Sequence, residues 1–113
     1  MASDNRYASG KIYKVVDNGY TMCYYGSTVE PLSRRMASHR AHYKLLGEGK
    51  RSHRMSVFDI FDACGVEQCK IELVEEFPCE SKEQLRKREG FYILNNECVN
   101  KQVASRIMAK WAK

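Results

Sequence analysis

The chain has 113 residues, of which 43% are hydrophobic and 29% charged, with a formal net charge of +5. That length supports one domain around a single modest core and is too short for two. No apolar run approaches the roughly 20 residues that cross a bilayer, and the opening MASDNRYAS does not resemble a signal peptide. A soluble intracellular protein is therefore expected, and its positive balance favours a polyanionic partner. Five cysteines (Cys23, Cys64, Cys69, Cys79, Cys98) make an odd set without a CxxC pair. They read as reduced core fillers in a reducing compartment, not as a disulfide framework or a zinc site.

In chain order, the first strong signal is KIYKVVDNGYTMCYYG, residues 11–26. Asn18-Gly19 predicts a two-residue type I′ turn, because both central residues of that turn take positive φ. This register makes Tyr13 and Tyr24 direct cross-strand partners, with Cβ atoms about 5 Å apart, and pairs Ile12 with Tyr25 on the opposite face. Pro31 suits a first helical position, and Leu32, Met36, His39, Tyr43 and Leu46 follow at helical spacing, predicting a helix over 31–46. Arg35 and His39 fall four apart on or beside its inward stripe, with Arg34, Arg40, His42 and Lys44 around them.

GEGKRSH, residues 47–53, is a glycine-containing basic loop. Ser52 then caps a second helix carrying Met55, Val57, Phe58, Ile60, Phe61 and Cys64. In CKIELVEEF, residues 69–77, Cys69, Ile71, Leu73 and Phe77 alternate with Lys70, Glu72 and Glu76, the period of a half-buried strand. Pro78 ends it, and Ser81-Lys82-Glu83-Gln84 is a capping box opening a helix through Asn95, with Leu85, Tyr92 and Ile93 inward. Glu89 falls on that same inward face. QVASRIMAKWAK, residues 102–113, places Val103, Ile107, Met108 and Trp111 at helical spacing. The expected organisation is a tail over 1–9, a domain over 10–103 and a C-terminal helix over 104–113 that packs on or extends the domain. The fold class is α+β, a small three-stranded antiparallel sheet flanked by helices.

Taken singly, hairpin tyrosines are ordinary β-formers, and Arg35 with His39 is an ordinary solvated helix face. Glu89 is harder to explain, since an inward carboxylate is expensive unless a metal or an arginine compensates it. In order along the chain stand Lys11-Ile12-Tyr13, Tyr24-Tyr25-Gly26, Arg35 through His39, Glu89-Gly90-Phe91-Tyr92-Ile93 and Asn100. This series resembles the GIY-YIG nuclease family over roughly residues 10–103. Two departures stand out: Lys11 occupies the place of the first motif's glycine, with Gly10 one position earlier, and Tyr25 that of the second motif's isoleucine. Lys11 either crowds the approach of a phosphate backbone or supplies it with positive charge.

The resemblance implies a metal-dependent DNA endonuclease of the GIY-YIG fold, hydrolysing one strand per active site with low intrinsic sequence specificity. It implies that Glu89 is the sole protein ligand of one divalent cation, Mg²⁺ with Mn²⁺ able to substitute. Tyr13 would be the general base, assisted by Arg35, the metal and a neutral His39, because a free phenol has a pKa of about 10. Tyr24 would orient water or phosphate, Arg35 would pair with phosphate oxygens through its planar fork, and Asn100 would fix the backbone or contact phosphate. Lys11, Lys14, Arg34, Arg35, Arg40, Arg51 and His53 form the expected DNA-binding set. The expected partner is DNA, with no membrane and no small-molecule cofactor, for a monomer or weak homodimer. The alternative is a catalytically weak nucleic-acid-binding module of the same fold.

Overall fold

A computed structural model describes residues 5–50 and 54–100 of the chain. The expected C-terminal helix, together with Arg51, Ser52 and His53, lies outside the described residues. Strands β1 (Lys11–Asp17), β2 (Cys23–Thr28) and β3 (Cys69–Glu76) form one antiparallel sheet in the order β2-β1-β3. Helix α1 (Leu32–Gly47) follows β2, helix α2 (Phe58–Cys64) precedes β3, and helix α3 (Lys82–Asn95) follows it. Short 3-10 turns at Arg6–Ser9 and Val66–Gln68 complete the set. The fold is the expected α+β domain. No helix among the described residues is long and apolar enough to cross a membrane.

The central strand explains the layering. Ile12, Tyr13, Val15 and Val16 are all buried, so β1 is covered on both faces and reads as a nearly continuous apolar run instead of an alternating one. One face carries Tyr13 and Val15 against Met36 of α1 and Val57, Phe58, Ile60 and Phe61 at α2. The other carries Tyr25, packed with Ile93, Tyr92 and Leu94 of α3. Tyr25 stacks on Tyr92 at 5.8 Å and 18°, and burying each such ring is worth about 2–3 kcal/mol.

The hairpin register differs from the expected one. Tyr13 pairs with Gly26, Val15 with Tyr24 and Lys14 with Tyr25, while Ile12 pairs with Ser27. Asn18-Gly19 does not form a type I′ turn: the residue with positive φ is Tyr20, at +59°. The Asp17 carboxylate accounts for this. It accepts the N–H groups of Thr21 at 2.8 Å and Met22 at 2.7 Å and the Thr21 hydroxyl at 2.8 Å. That cage holds residues 18–22 as a longer loop and delays β2 to Cys23. The slip is by two residues, so side-chain parity survives and Tyr13 and Tyr24 still share a face.

Two smaller departures have local causes. α2 starts at Phe58 because the preceding turn uses i→i−3 bonds, Phe58 N–H to Met55 O at 3.0 Å and Asp59 N–H to Ser56 O at 3.0 Å. Along β3 the pairing jumps from Glu75 opposite Ile12 to Leu73 opposite Tyr13. This bulge at Val74 breaks the expected alternation, and Leu73 is 48% exposed. Ser81 caps α3 as expected, its Oγ accepting the Gln84 N–H at 3.2 Å, while the returning Gln84 Oε1 accepts the N–H of Glu80, one residue before the cap, at 2.7 Å. The five cysteines are free thiols, Cys69 buried and the others half-buried.

Candidate functional site

β1 delivers Tyr13 to the face covered by α1, and Gly26 directly opposite makes room for its ring. A Cβ built on Gly26 would stand 2.5 Å from Tyr13 Cζ, so no larger residue fits without moving the ring. The hydroxyl then meets two side chains from one stripe of α1. Arg35 Nε donates to it at 3.1 Å and His39 Nε2 lies 2.8 Å away. Tyr24 completes the cluster, its ring 6.4 Å from that of Tyr13 and edge-on to His39 at 5.8 Å. Four of the sequence-derived residues thus form one cluster, with Arg35 and His39 on the Tyr13 oxygen.

The electrostatics assign its proton. His39 is fully buried, and desolvation, reinforced by Arg35 and His42, pushes its pKa down to about 3, so the imidazole is neutral. Of the two ring nitrogens of His39, Nε2 is the one engaged with the Tyr13 oxygen, at 2.8 Å. His39 Nδ1 has no hydrogen-bond partner among the described residues. Arg35 favours a Tyr13 phenolate, as anticipated, but burial outweighs it and the Tyr13 pKa lies above its ordinary value. Burial raises the Tyr24 pKa as well. Arg35 thus acts in the expected direction, without by itself offsetting the burial of Tyr13.

Glu89 comes from α3, on the opposite face of the sheet, yet it reaches the same end of β2. It is half-buried and accepts the Ser27 hydroxyl at 2.5 Å. Burial raises its pKa, opposed by that hydrogen bond and by Arg86 and Arg35. A cleft of about 440 Å³ lies here, with Ser27, Thr28, Glu30, Arg35, Arg86 and Glu89 in its wall. Arg35 joins the two halves, since it lines this cleft while its Nε holds the buried Tyr13 hydroxyl. Asn100 works elsewhere, accepting the Tyr25 N–H at 2.9 Å and donating to the Tyr25 carbonyl at 2.8 Å. It clamps the outer edge of β2, where a fourth strand would otherwise pair.

The expected basic set divides. Lys11 is occupied by the carbonyls of Ser9 at 2.9 Å and Glu30 at 3.1 Å, so it pins the loop after β2 to β1. Lys14 sits on the Tyr25 face near Glu72. Arg34 and Arg40 are exposed on α1, and neither is among the residues of the cleft wall. Sequence reading missed Ser27, Glu30, Arg6, Lys82 and Arg86, all of which line the cleft. Lys82 and Arg86 stand seven and three residues before Glu89, a helical spacing that could have placed them on its face.

Among the described residues no group of three or more His, Cys, Asp or Glu side chains could hold a metal. The wall's oxygen donors, the Glu89 and Glu30 carboxylates, are of the hard kind that would suit a divalent cation completed by solvent, and not a closed soft-metal site. No family model, curated protein or solved structure matches the chain. The fold and site define an α+β domain with one cationic cleft abutting a buried tyrosine-histidine-arginine cluster.

Proposed function

We propose that the chain is a divalent-metal-dependent DNA endonuclease of the GIY-YIG kind, cutting one strand per active site with little intrinsic sequence preference. The carrying observation is the double role of Arg35, which touches the Tyr13 hydroxyl at 3.1 Å and shares a cleft with Glu89. The cation that Glu89 would hold supplies Lewis-acid stabilisation of the charge developing on the phosphoryl and leaving oxygens. The remaining chemistry belongs to the chain. A phosphodiester in the cleft draws the Arg35 fork toward its oxygens, which uncovers the Tyr13 hydroxyl. Water attacks phosphorus as the bond to the leaving oxygen breaks. The water's proton passes to the Tyr13 oxygen while the Tyr13 proton moves to the neutral His39 Nε2 across their 2.8 Å contact. The weakly basic buried imidazole sends it on through solvent to the leaving oxygen. Tyr24 packs its ring against those of Tyr13 and His39, and Asn100 holds the β2 backbone that carries Tyr24 and Gly26.

The test is nicking of supercoiled plasmid with Mg²⁺ or Mn²⁺. The native chain relaxes the plasmid, and Glu89→Ala abolishes relaxation; equal activity in the two rejects the assignment. A second reading, a nucleic-acid-binding module without useful catalysis, is favoured by the complete burial of Tyr13 and the upward shift of its pKa. Salt-dependent DNA binding with no cleavage under either metal would select it.

A further inference from the structure

The cleft wall opposite β2 is cationic, and neither its charge nor its position was legible in the expected DNA-binding set. Lys82, Arg86 and Glu89 occupy positions i, i+4 and i+7 of α3, one face of the helix spanning about 10 Å along its axis. Arg6 joins them from a remote part of the chain. The Asn5 side chain donates to Cys79 O at 3.0 Å and Cys79 N–H donates to Tyr7 O at 2.9 Å, which ties the 3-10 turn Arg6–Ser9 to the segment before α3.

These residues hold no close ion pair, although Arg6 lies over the Tyr7 ring at 5.7 Å and Arg86 acts on Glu89 through space. Among the described residues Arg88 pairs with Glu75, Arg54 with Asp59 and Asp62, Lys50 with Glu48 and Lys70 with Glu72, whereas Arg6, Lys82 and Arg86 form no salt bridge. With Arg35 they set four cations against the two carboxylates of the wall, Glu30 and Glu89. Keeping unpaired like charges around one concavity costs stability through repulsion, and an anion entering it relieves that cost.

We infer that Arg6, Lys82 and Arg86 form the track for the phosphate backbone flanking the bond to be cut, with the nucleic acid running along α3 toward Glu89 and not across the outer face of α1. This rests on the nuclease reading for what Glu89 does, but not for whether the track binds. Such contacts grip phosphate irrespective of base.

The experiment is fluorescence anisotropy of a short labelled DNA duplex with the full chain in chelator, titrated with KCl. Arg6→Gln, Lys82→Gln and Arg86→Gln are surface changes, each expected to weaken binding and to lower the log–log salt slope by about 0.9. Lys87→Gln is the control: the same charge, one residue from Arg86, but lining a different concavity with Phe77 and Phe91. It is expected to leave the slope unchanged. The track is overturned if Lys87→Gln lowers the slope as much as Arg86→Gln, which makes net charge the only determinant, or if the native chain binds and none of the three changes matters. Should the native chain fail to bind DNA at low salt, the track and the nuclease reading fall together. If Glu89→Ala abolishes nicking while the slopes stay fixed, only the track falls.

Discussion

Gly26→Ala tests the geometry on which the whole site depends. The added methyl would meet Tyr13 at 2.5 Å from Cζ and 3.0 Å from Cε1, where ordinary contacts begin near 3.4 Å. Tyr13 is 0% exposed and packed on all sides, so its ring must retreat by about 1 Å into a filled core, which costs about 1–3 kcal/mol. The same movement strains the 2.8 Å bond to His39 and the 3.1 Å bond to Arg35, each worth about 1 kcal/mol. Replacing a strand glycine relieves backbone entropy by about 0.5–1 kcal/mol, which is smaller, so the clash sets the sign. A net loss of about 2–4 kcal/mol is expected, read as a lower urea midpoint by far-UV circular dichroism with an unchanged m-value. Gly47→Ala is the comparison, since no atom lies within 4 Å of its added Cβ, and it should be neutral or slightly stabilising. Because the effect acts through Tyr13, Gly26→Ala should cost much less in a Tyr13→Ala background. Additivity of the two changes, or a Gly26→Ala loss below about 0.5 kcal/mol, refutes the reasoning.

Stability should also depend on pH through His39. Unfolded, this side chain binds a proton below its ordinary 6.5, whereas in the fold it resists protonation down to about 3. The unfolded chain holds the extra proton between those values, so the His39 contribution is complete above about 6.5 and is lost as pH falls, by up to about 1.4 kcal/mol per unit. Urea midpoints for the native chain and His39→Leu should converge between neutral and mildly acidic pH, and a gap independent of pH would contradict this. Asn100→Ala should free the β2 edge, destabilising by about 1–3 kcal/mol as two backbone groups lose their partners. It should also speed hydrogen exchange at the Tyr25 amide, and unchanged Tyr25 protection would show that the clamp does not hold.

The primary sequence determined the elements and their order, and several of its local geometric statements hold because they depend only on backbone periodicity. Ser81 and Gln84 announce the start of α3 because a helix leaves its first N–H groups without partners. Arg35 and His39 project together because they are one helical turn apart, and Tyr13 and Tyr24 share a face because strand parity survives a slip of two. What it left open turned on competition between distant groups. Asn18-Gly19 favours a tight turn, but Asp17 gathers three hydrogen bonds from Thr21 and Met22 and wins a longer one. Burial, which no local pattern reports, keeps the proton on Tyr13 and off His39. Only tertiary packing, which lays α1 and α3 on opposite faces of β1 and ties Arg6 to the start of α3, brings Arg35, Glu89, Arg86 and Lys82 around one cleft, because the electrostatics of a cavity depend on which distant charges share its walls.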